Sequence, residues 1–140
     1  AELGIDPLPP FNAVPAILET HLHQLNGSRF VETRKKNYAL LREGVLQQKP
    51  DWYVLECGNA PDVPYQFLLY RKGKTELAPL LTQFLQAGVG AVKGLELLPE
   101  TRKLLGSDHP FNNQIALPLH QSVTPGQIEH MLRACQAFLK

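Results

Sequence analysis

Cysteine is scarce in this chain. Cys57 and Cys135 are the only two, far apart and without a CxxC pair, so neither a disulfide framework nor a zinc cluster can be built from them. That usage fits a reducing, cytoplasmic home. An excess of either charge is also missing, since 14 Lys and Arg against 13 Asp and Glu leave a net charge of +1. The isoelectric point lies near 8.0, whereas a nucleic-acid-binding domain wants a basic face and a value above about 9. No nucleic-acid partner is expected. Long apolar runs are absent too: Pro, Gln or Gly interrupts each uncharged stretch before the roughly 20 apolar residues that a bilayer span takes. No membrane partner is expected either. The chain opens Ala1-Glu2, without Met and without the charged and apolar regions of a signal peptide, which leads us to expect a piece of a longer or processed protein.

What is present is an ordinary globular composition. Across 140 residues, 44% are hydrophobic and 19% charged, enough for one domain that buries about two-thirds of its surface. Pro7, Pro9 and Pro10 make the start an extended lead-in. Asn12 as N-cap and Pro15 in the first turn open a helix whose Val14, Ile17, Leu18, Leu22 and Leu25 form one stripe, ended by Asn26-Gly27. A second helix, roughly Ser28 to Gln48, turns Phe30, Val31, Tyr38, Leu41 and Val45 inward and stops at Lys49-Pro50.

The residues Trp52 to Leu55 and Pro64 to Tyr70 predict two strands, joined antiparallel through Gly58-Asn59-Ala60-Pro61-Asp62. Thr75 is then read as the cap of a helix carrying Leu77, Leu80, Leu81 and Phe84, with Gly88 as its left-handed stop. Short strands are expected at Val89 to Val92 and Gln114 to Leu119, and a helical turn or two at Pro99 to Leu105. Thr124-Pro125-Gly126-Gln127 joins an N-cap, a Pro at the first position and a capping-box Gln. Behind it Ile128, Met131, Leu132, Cys135, Phe138 and Leu139 share one stripe. The order describes an α+β domain: a small, mostly antiparallel sheet with helices on one face and long N-terminal helices.

Catalytic constellations are hard to find in these residues. His21 and His23 sit two apart on a helix and so on different faces, and His109, His120 and His130 match no metal spacing, so no metal is expected. Cys57 and Cys135 have no base beside them in sequence, and Ser28, Ser107 and Ser122 lie outside any nucleophile elbow. The stretch Gly88-Val89-Gly90-Ala91-Val92-Lys93-Gly94 follows a helix instead of a strand, unlike a phosphate loop. Its bland reading is a helix stop at Gly88 and a turn or close packing at Gly94. The run Arg34-Lys35-Lys36 reads as a solvated helix face.

Taken in order, however, several segments resemble one family. Arg34-Lys35-Lys36-Asn37-Tyr38-Ala39-Leu40-Leu41 is similar to an Arg-Arg-x-Asn-Tyr-x-x-Leu helix. Pro64 to Tyr70 follows as its strand, and Lys74-Thr75-Glu76-Leu77 with Phe84 to Val89 as its helix-to-strand step. Ile115 to Ile128 is similar to a closing Leu-Pro-(Leu/Val/Ile)-His-x-x-Leu-Thr strand and helix. This layout resembles the C-terminal small domain of the DegT–StrS aminotransferases, fold type I enzymes that use pyridoxal phosphate on nucleotide sugars. The resemblance spans residues 28–140, leaving 1–27 as lead-in and linking helix.

It implies that the Schiff-base lysine, the aspartate at the pyridine nitrogen and the ring-stacking aromatic belong to an N-terminal large domain outside this sequence. No catalytic residue is expected here, no cofactor is expected on these 140 residues alone, and the intact protein would be a cytoplasmic homodimer in sugar biosynthesis. Its small-molecule substrate would be a keto sugar, aminated by glutamate or a similar donor. Where the family often carries His-Tyr-Pro or His-Trp-Pro toward substrate, this chain has Lys93-Gly94-Leu95-Glu96, and Phe11-Asn12 is a faint match to its Gly-Tyr-Asn-Tyr-Arg segment. Lys93, Gly94 and Asn12 are therefore the substrate-cleft candidates. A free-standing ligand-binding or regulatory module and an inactive aminotransferase homologue remain open readings.

Overall fold

The computed structural model describes residues 27–56, 62–94 and 97–140. The expected helix from Asn12 to Leu25, the candidate Asn12, His21, His23, Cys57, most of the turn at Gly58 to Pro61, and Leu95-Glu96 lie outside the described residues. In order come helix α1 (Gly27–Gln48), strands β1 (Tyr53–Val54) and β2 (Gln66–Tyr70), helix α2 (Leu77–Gln86), strand β3 (Val92–Lys93), helix α3 (Pro99–Leu105), a 3-10 turn (Pro110–Asn112), strand β4 (Gln114–Pro118) and helix α4 (Pro125–Phe138). The strands form one sheet in the order β1-β2-β4-β3, and each neighbouring pair is antiparallel. The expected α+β class with a small antiparallel sheet is what the structure has.

Register decides which face is packed. Val54 pairs with Leu69, Leu69 also with Ile115, and Phe67 with Leu117. Directly opposed residues point to the same side. Phe67, Leu69, Ile115 and Leu117 are fully buried in one cluster with Leu41 and Val45 of α1, Leu80 and Phe84 of α2, and Ile128, Met131 and Cys135 of α4. Tyr38 adds an edge-to-face contact on Phe67, with ring centroids 5.5 Å apart. Helices α1 and α4 approach closely at Gly44, where an added Cβ would stand 2.5 Å from Leu132 Cδ2.

Helix α4 starts as its sequence requires. The Thr124 amide donates to Gln127 Oε1 at 2.8 Å and the Gln127 amide to Thr124 Oγ1 at 3.3 Å, closing the capping box. Such a cap is worth about 1 kcal/mol. Helix α2 also stops where expected. Gly88 adopts φ +77, its amide donates to the Leu85 carbonyl, and the Val89 amide reaches the Phe84 carbonyl at 2.8 Å. This Schellman arrangement satisfies carbonyls that the helix end orphans, and Val89 packs beside Phe84.

Three expectations need correction. Thr75 does not cap α2: the N-cap is Glu76, without a side-chain cap, because the Thr75 hydroxyl donates instead to the Gly73 carbonyl at 3.3 Å. The strand expected at Val89 begins only at Val92, since the Val89 amide is used by the helix stop and the Ala91 amide donates to the Val89 carbonyl. Arg34 is not a solvated cation. It is half-buried, donates from Nε to Gln121 Oε1 at 3.1 Å and lies 5.8 Å from the Tyr65 ring centroid.

Candidate functional site

The strand alternation that buries Phe67 and Leu69 sends Gln66, Leu68 and Tyr70 to the opposite face, together with Pro118 and Ala116 from β4, Tyr53 from β1 and Val92 from β3. At the β3 end of that face lies a hollow of about 240 Å³, lined among others by Tyr65, Gln66, Gly90, Val92, Pro118 and His120. A second hollow of about 200 Å³ shares Gly90, Pro118 and His120 and extends to Gln127 and His130 on α4. Sites for small molecules run to about 300–1,000 Å³. Each hollow is smaller than that and supplies a wall more readily than an enclosure.

The floor of this region is held by α1. Asn37 is 4% exposed, and its Nδ2 donates to the Val123 carbonyl at 3.1 Å and the His120 carbonyl at 3.3 Å. The Val123 amide also donates to the His120 carbonyl at 3.1 Å. The turn that carries His120 is thus closed by its own backbone and bolted to the helix behind it. Nδ1 of His120 accepts from the Ser122 amide at 3.2 Å, which leaves the proton of the neutral ring on Nε2. His130 Nε2 lies 2.6 Å from the Ala87 carbonyl and donates to it, joining α4 to the end of α2. Together Tyr65, Gln66 and His120 offer hydrogen bonds to a polar ligand. Among the described residues, no Ser, Thr, Cys or Lys lines either hollow.

Of the sequence candidates, the structure places Lys93 and Gly94 beside this surface and outside the lining of both hollows. Lys93 is exposed on β3 and pairs with Ile115. It therefore alternates away from Val92, which lines the larger hollow. The Gly94 amide donates to the Gln114 carbonyl at 3.0 Å, and a Cβ there would stand 2.3 Å from Gln114 Cγ. Close packing is what requires a glycine at that position. Asn12 lies outside the described residues. Cys135 is fully buried, and desolvation pushes its thiol from an ordinary 9.0 up to about 12, so it is a core side chain and no nucleophile. Among the described residues no three His, Cys, Asp or Glu side chains gather as metal ligands, and no helix is long and apolar enough to cross a membrane.

Sequence reasoning missed Asn37, Gln121 and His130. Asn37 stood inside the quoted helix motif, but its partners are more than eighty positions away along the chain.

No protein-family model matches the chain, and no curated protein matches it. Solved structures do. TlmJ, an aminotransferase from Streptoalloteichus hindustanus, superposes with a TM-score of 0.65 at 18% identity, over 89% of this chain and 35% of its own. The chain carries an aminotransferase-like fold. A DegT DnrJ EryC1 StrS aminotransferase from Brucella abortus gives a TM-score of 0.63 at 14% identity, over 89% of this chain and 34% of its own. Spr1654 from Streptococcus pneumoniae, assigned as a sugar aminotransferase and solved in its PMP form, gives 0.62 at 15% identity, over 78% and 30%. The chain spans about a third of the length of these proteins.

Proposed function

We propose that this chain is the small domain of a pyridoxal-phosphate-dependent aminotransferase acting on a nucleotide sugar or related keto substrate. One observation carries the reading: the superposition takes in 89% of this chain but only 35% of TlmJ, as expected if the remaining part of the enzyme lies elsewhere in the polypeptide. The ordered motifs at Arg34 to Leu41, Pro64 to Tyr70 and Ile115 to Ile128 support it, because they form the α1 bolt, strand β2 and the His120 turn that bound the open sheet face.

The described residues do not build a pyridoxal phosphate site. A lysine able to hold the cofactor needs a desolvating pocket, whereas Lys93 is exposed on a sheet edge. The cofactor would supply the electron sink for amino-group transfer, and no step of that chemistry is assigned to this chain. Its contribution is shape and hydrogen bonding. The open face of the sheet offers a wall with Tyr65, Gln66 and His120 at its polar end, to be completed by a large domain of the same protein and by a second copy in a homodimer.

The test is the intact protein. Native mass spectrometry of the protein from its own cells is expected to find a dimer of chains about three times this length, with Ala1 internal, in line with the shares of the matched structures. A monomeric chain of 140 residues would overturn the reading and favour a free-standing binding module. An intact dimer that holds pyridoxal phosphate yet turns over no keto sugar would favour a homologue without catalysis.

A further inference from the structure

Gly90, Pro118 and His120 line both hollows at the end of the open sheet face. Glycine and proline bring no polar side chain there, so His120 is the one side chain of the three that can hydrogen-bond in both. The other two described histidines are engaged elsewhere. His130 has its Nε2 proton on the Ala87 carbonyl, and His109 lies outside both hollows, its Nδ1 accepting the Phe111 amide at 3.3 Å.

The His120 ring has one proton to offer and one place to offer it. A backbone amide can only donate, so the bond from the Ser122 amide fixes Nδ1 as an acceptor and leaves the proton of the neutral ring on Nε2. Among the described residues no acceptor takes that proton. Tyr65 and Gln66, at the same end of the face, can each donate or accept and so select neither kind of partner. His120 calls for an acceptor.

The turn beneath the ring is tied at each residue. The His120 carbonyl accepts from Asn37 and from the Val123 amide, and the Gln121 side chain accepts from Arg34. The Ser122 amide holds the ring, and the Val123 carbonyl accepts from Asn37. A donor fixed in this way loses little freedom when a ligand arrives. It also penalises a ligand that cannot accept, because the N–H then gives up its water without a replacement.

We infer that the Nε2–H of His120 is the specificity-setting donor of this site, directed at an acceptor oxygen of the substrate. What the substrate is rests on the aminotransferase reading, whereas the direction of the bond rests on the ring.

The two ring nitrogens can be replaced one at a time. In His120→Asn the side-chain oxygen can still accept the amide two residues on, as an Asx turn does, but nothing reaches the position of Nε2. In His120→Gln the longer side chain returns a donor to that position. Both variants would be assayed in the intact dimer, loaded with pyridoxal phosphate, with UDP-linked and TDP-linked keto hexoses and glutamate. His120→Asn is expected to raise KM for the keto sugar about tenfold with little change in kcat, and His120→Gln to recover most of that loss. Nitrogen-15 spectra of the 140-residue chain are expected to show the neutral His120 ring protonated at Nε2, with the Ser122 amide shift retained in His120→Asn. A ring protonated at Nδ1, an unchanged KM in His120→Asn, or equal losses in both variants would overturn the inference. A wild-type dimer that turns over neither sugar would overturn the aminotransferase reading, and the role of His120 with it. The nitrogen-15 result, read on the 140-residue chain alone, tells that failure from a wrong assignment of the ring.

Discussion

Asn37 and Val123 are joined by a buried hydrogen bond of 3.1 Å between a helix side chain and a turn carbonyl, linking residues 86 positions apart in the chain. The same amide group serves His120, so one side chain sets the turn that presents the His120 ring to both hollows. Asn37→Ala would remove this donor from two carbonyls of a turn whose Val123 end is buried. A loss of about 1–3 kcal/mol is expected, read as a lower urea midpoint with an unchanged m-value. The amide shifts of Ser122 and Val123 should move with it.

Gly94 is expected to reject a methyl group. The Cβ of Gly94→Ala would fall 2.3 Å from Gln114 Cγ and 2.6 Å from Cδ, and Gln114 is only 4% exposed. Overpacking of this kind costs about 1–3 kcal/mol. The same substitution in a Gln114→Ala background is expected to cost markedly less, and a thermodynamic cycle over the four proteins measures the difference. Equal costs in both backgrounds would show that close packing is not why glycine stands there.

The Cys135 thiol, pushed to about 12 by burial, carries a pH consequence. Between the ordinary 9.0 and about 12 the folded state keeps its proton while the unfolded chain loses it, so the unfolded state binds fewer protons and stability falls as pH rises through that range. Below it the group contributes no pH dependence. Peptide mapping after maleimide treatment at neutral pH is expected to find Cys135 unmodified until the chain is unfolded.

Glu56 titrates in the opposite sense. Arg42 donates from Nε to both Glu56 carboxylate oxygens, at 3.0 and 2.9 Å. That hydrogen bond, with the guanidinium charge, holds the carboxyl below its usual range. Its stabilising contribution is present above the ordinary carboxylate range and is lost as pH falls through the lowered value. Both side chains are well exposed, 42% and 54%, so the effect on global stability is small and screened by salt. An NMR titration of Glu56 is the direct check, with Arg42→Ala expected to return it toward the ordinary value.

Local chemistry made much of the fold legible in the sequence. The capping box at Thr124 and Gln127 and the left-handed stop at Gly88 need only a few adjacent residues, and α1, α4 and the antiparallel β1-β2 pair fall close to where the sequence puts them. What escaped depends on distance. Insertion of β4 between β2 and β3 is set by tertiary packing, and Thr75 has a local alternative in the Gly73 carbonyl that competes with capping. Arg34 looked solvated within its basic run because Gln121 and Tyr65 are nowhere near it in sequence. The open-face surface was legible in part: its His120 and Pro118 belong to the quoted closing strand, whereas Lys93, singled out by its place in the motif order, alternates away from the hollow.

The central claim, that this fold belongs to an aminotransferase whose cofactor lysine lies outside these residues, is tested most directly by borohydride reduction. The intact protein would be loaded with pyridoxal phosphate, reduced, digested and mapped by mass spectrometry. The expected result is a single lysine carrying the reduced cofactor, located outside residues 1–140, with no labelling of the 140-residue chain treated alone. A label on Lys93, or an intact protein that retains no pyridoxal phosphate, would contradict the account.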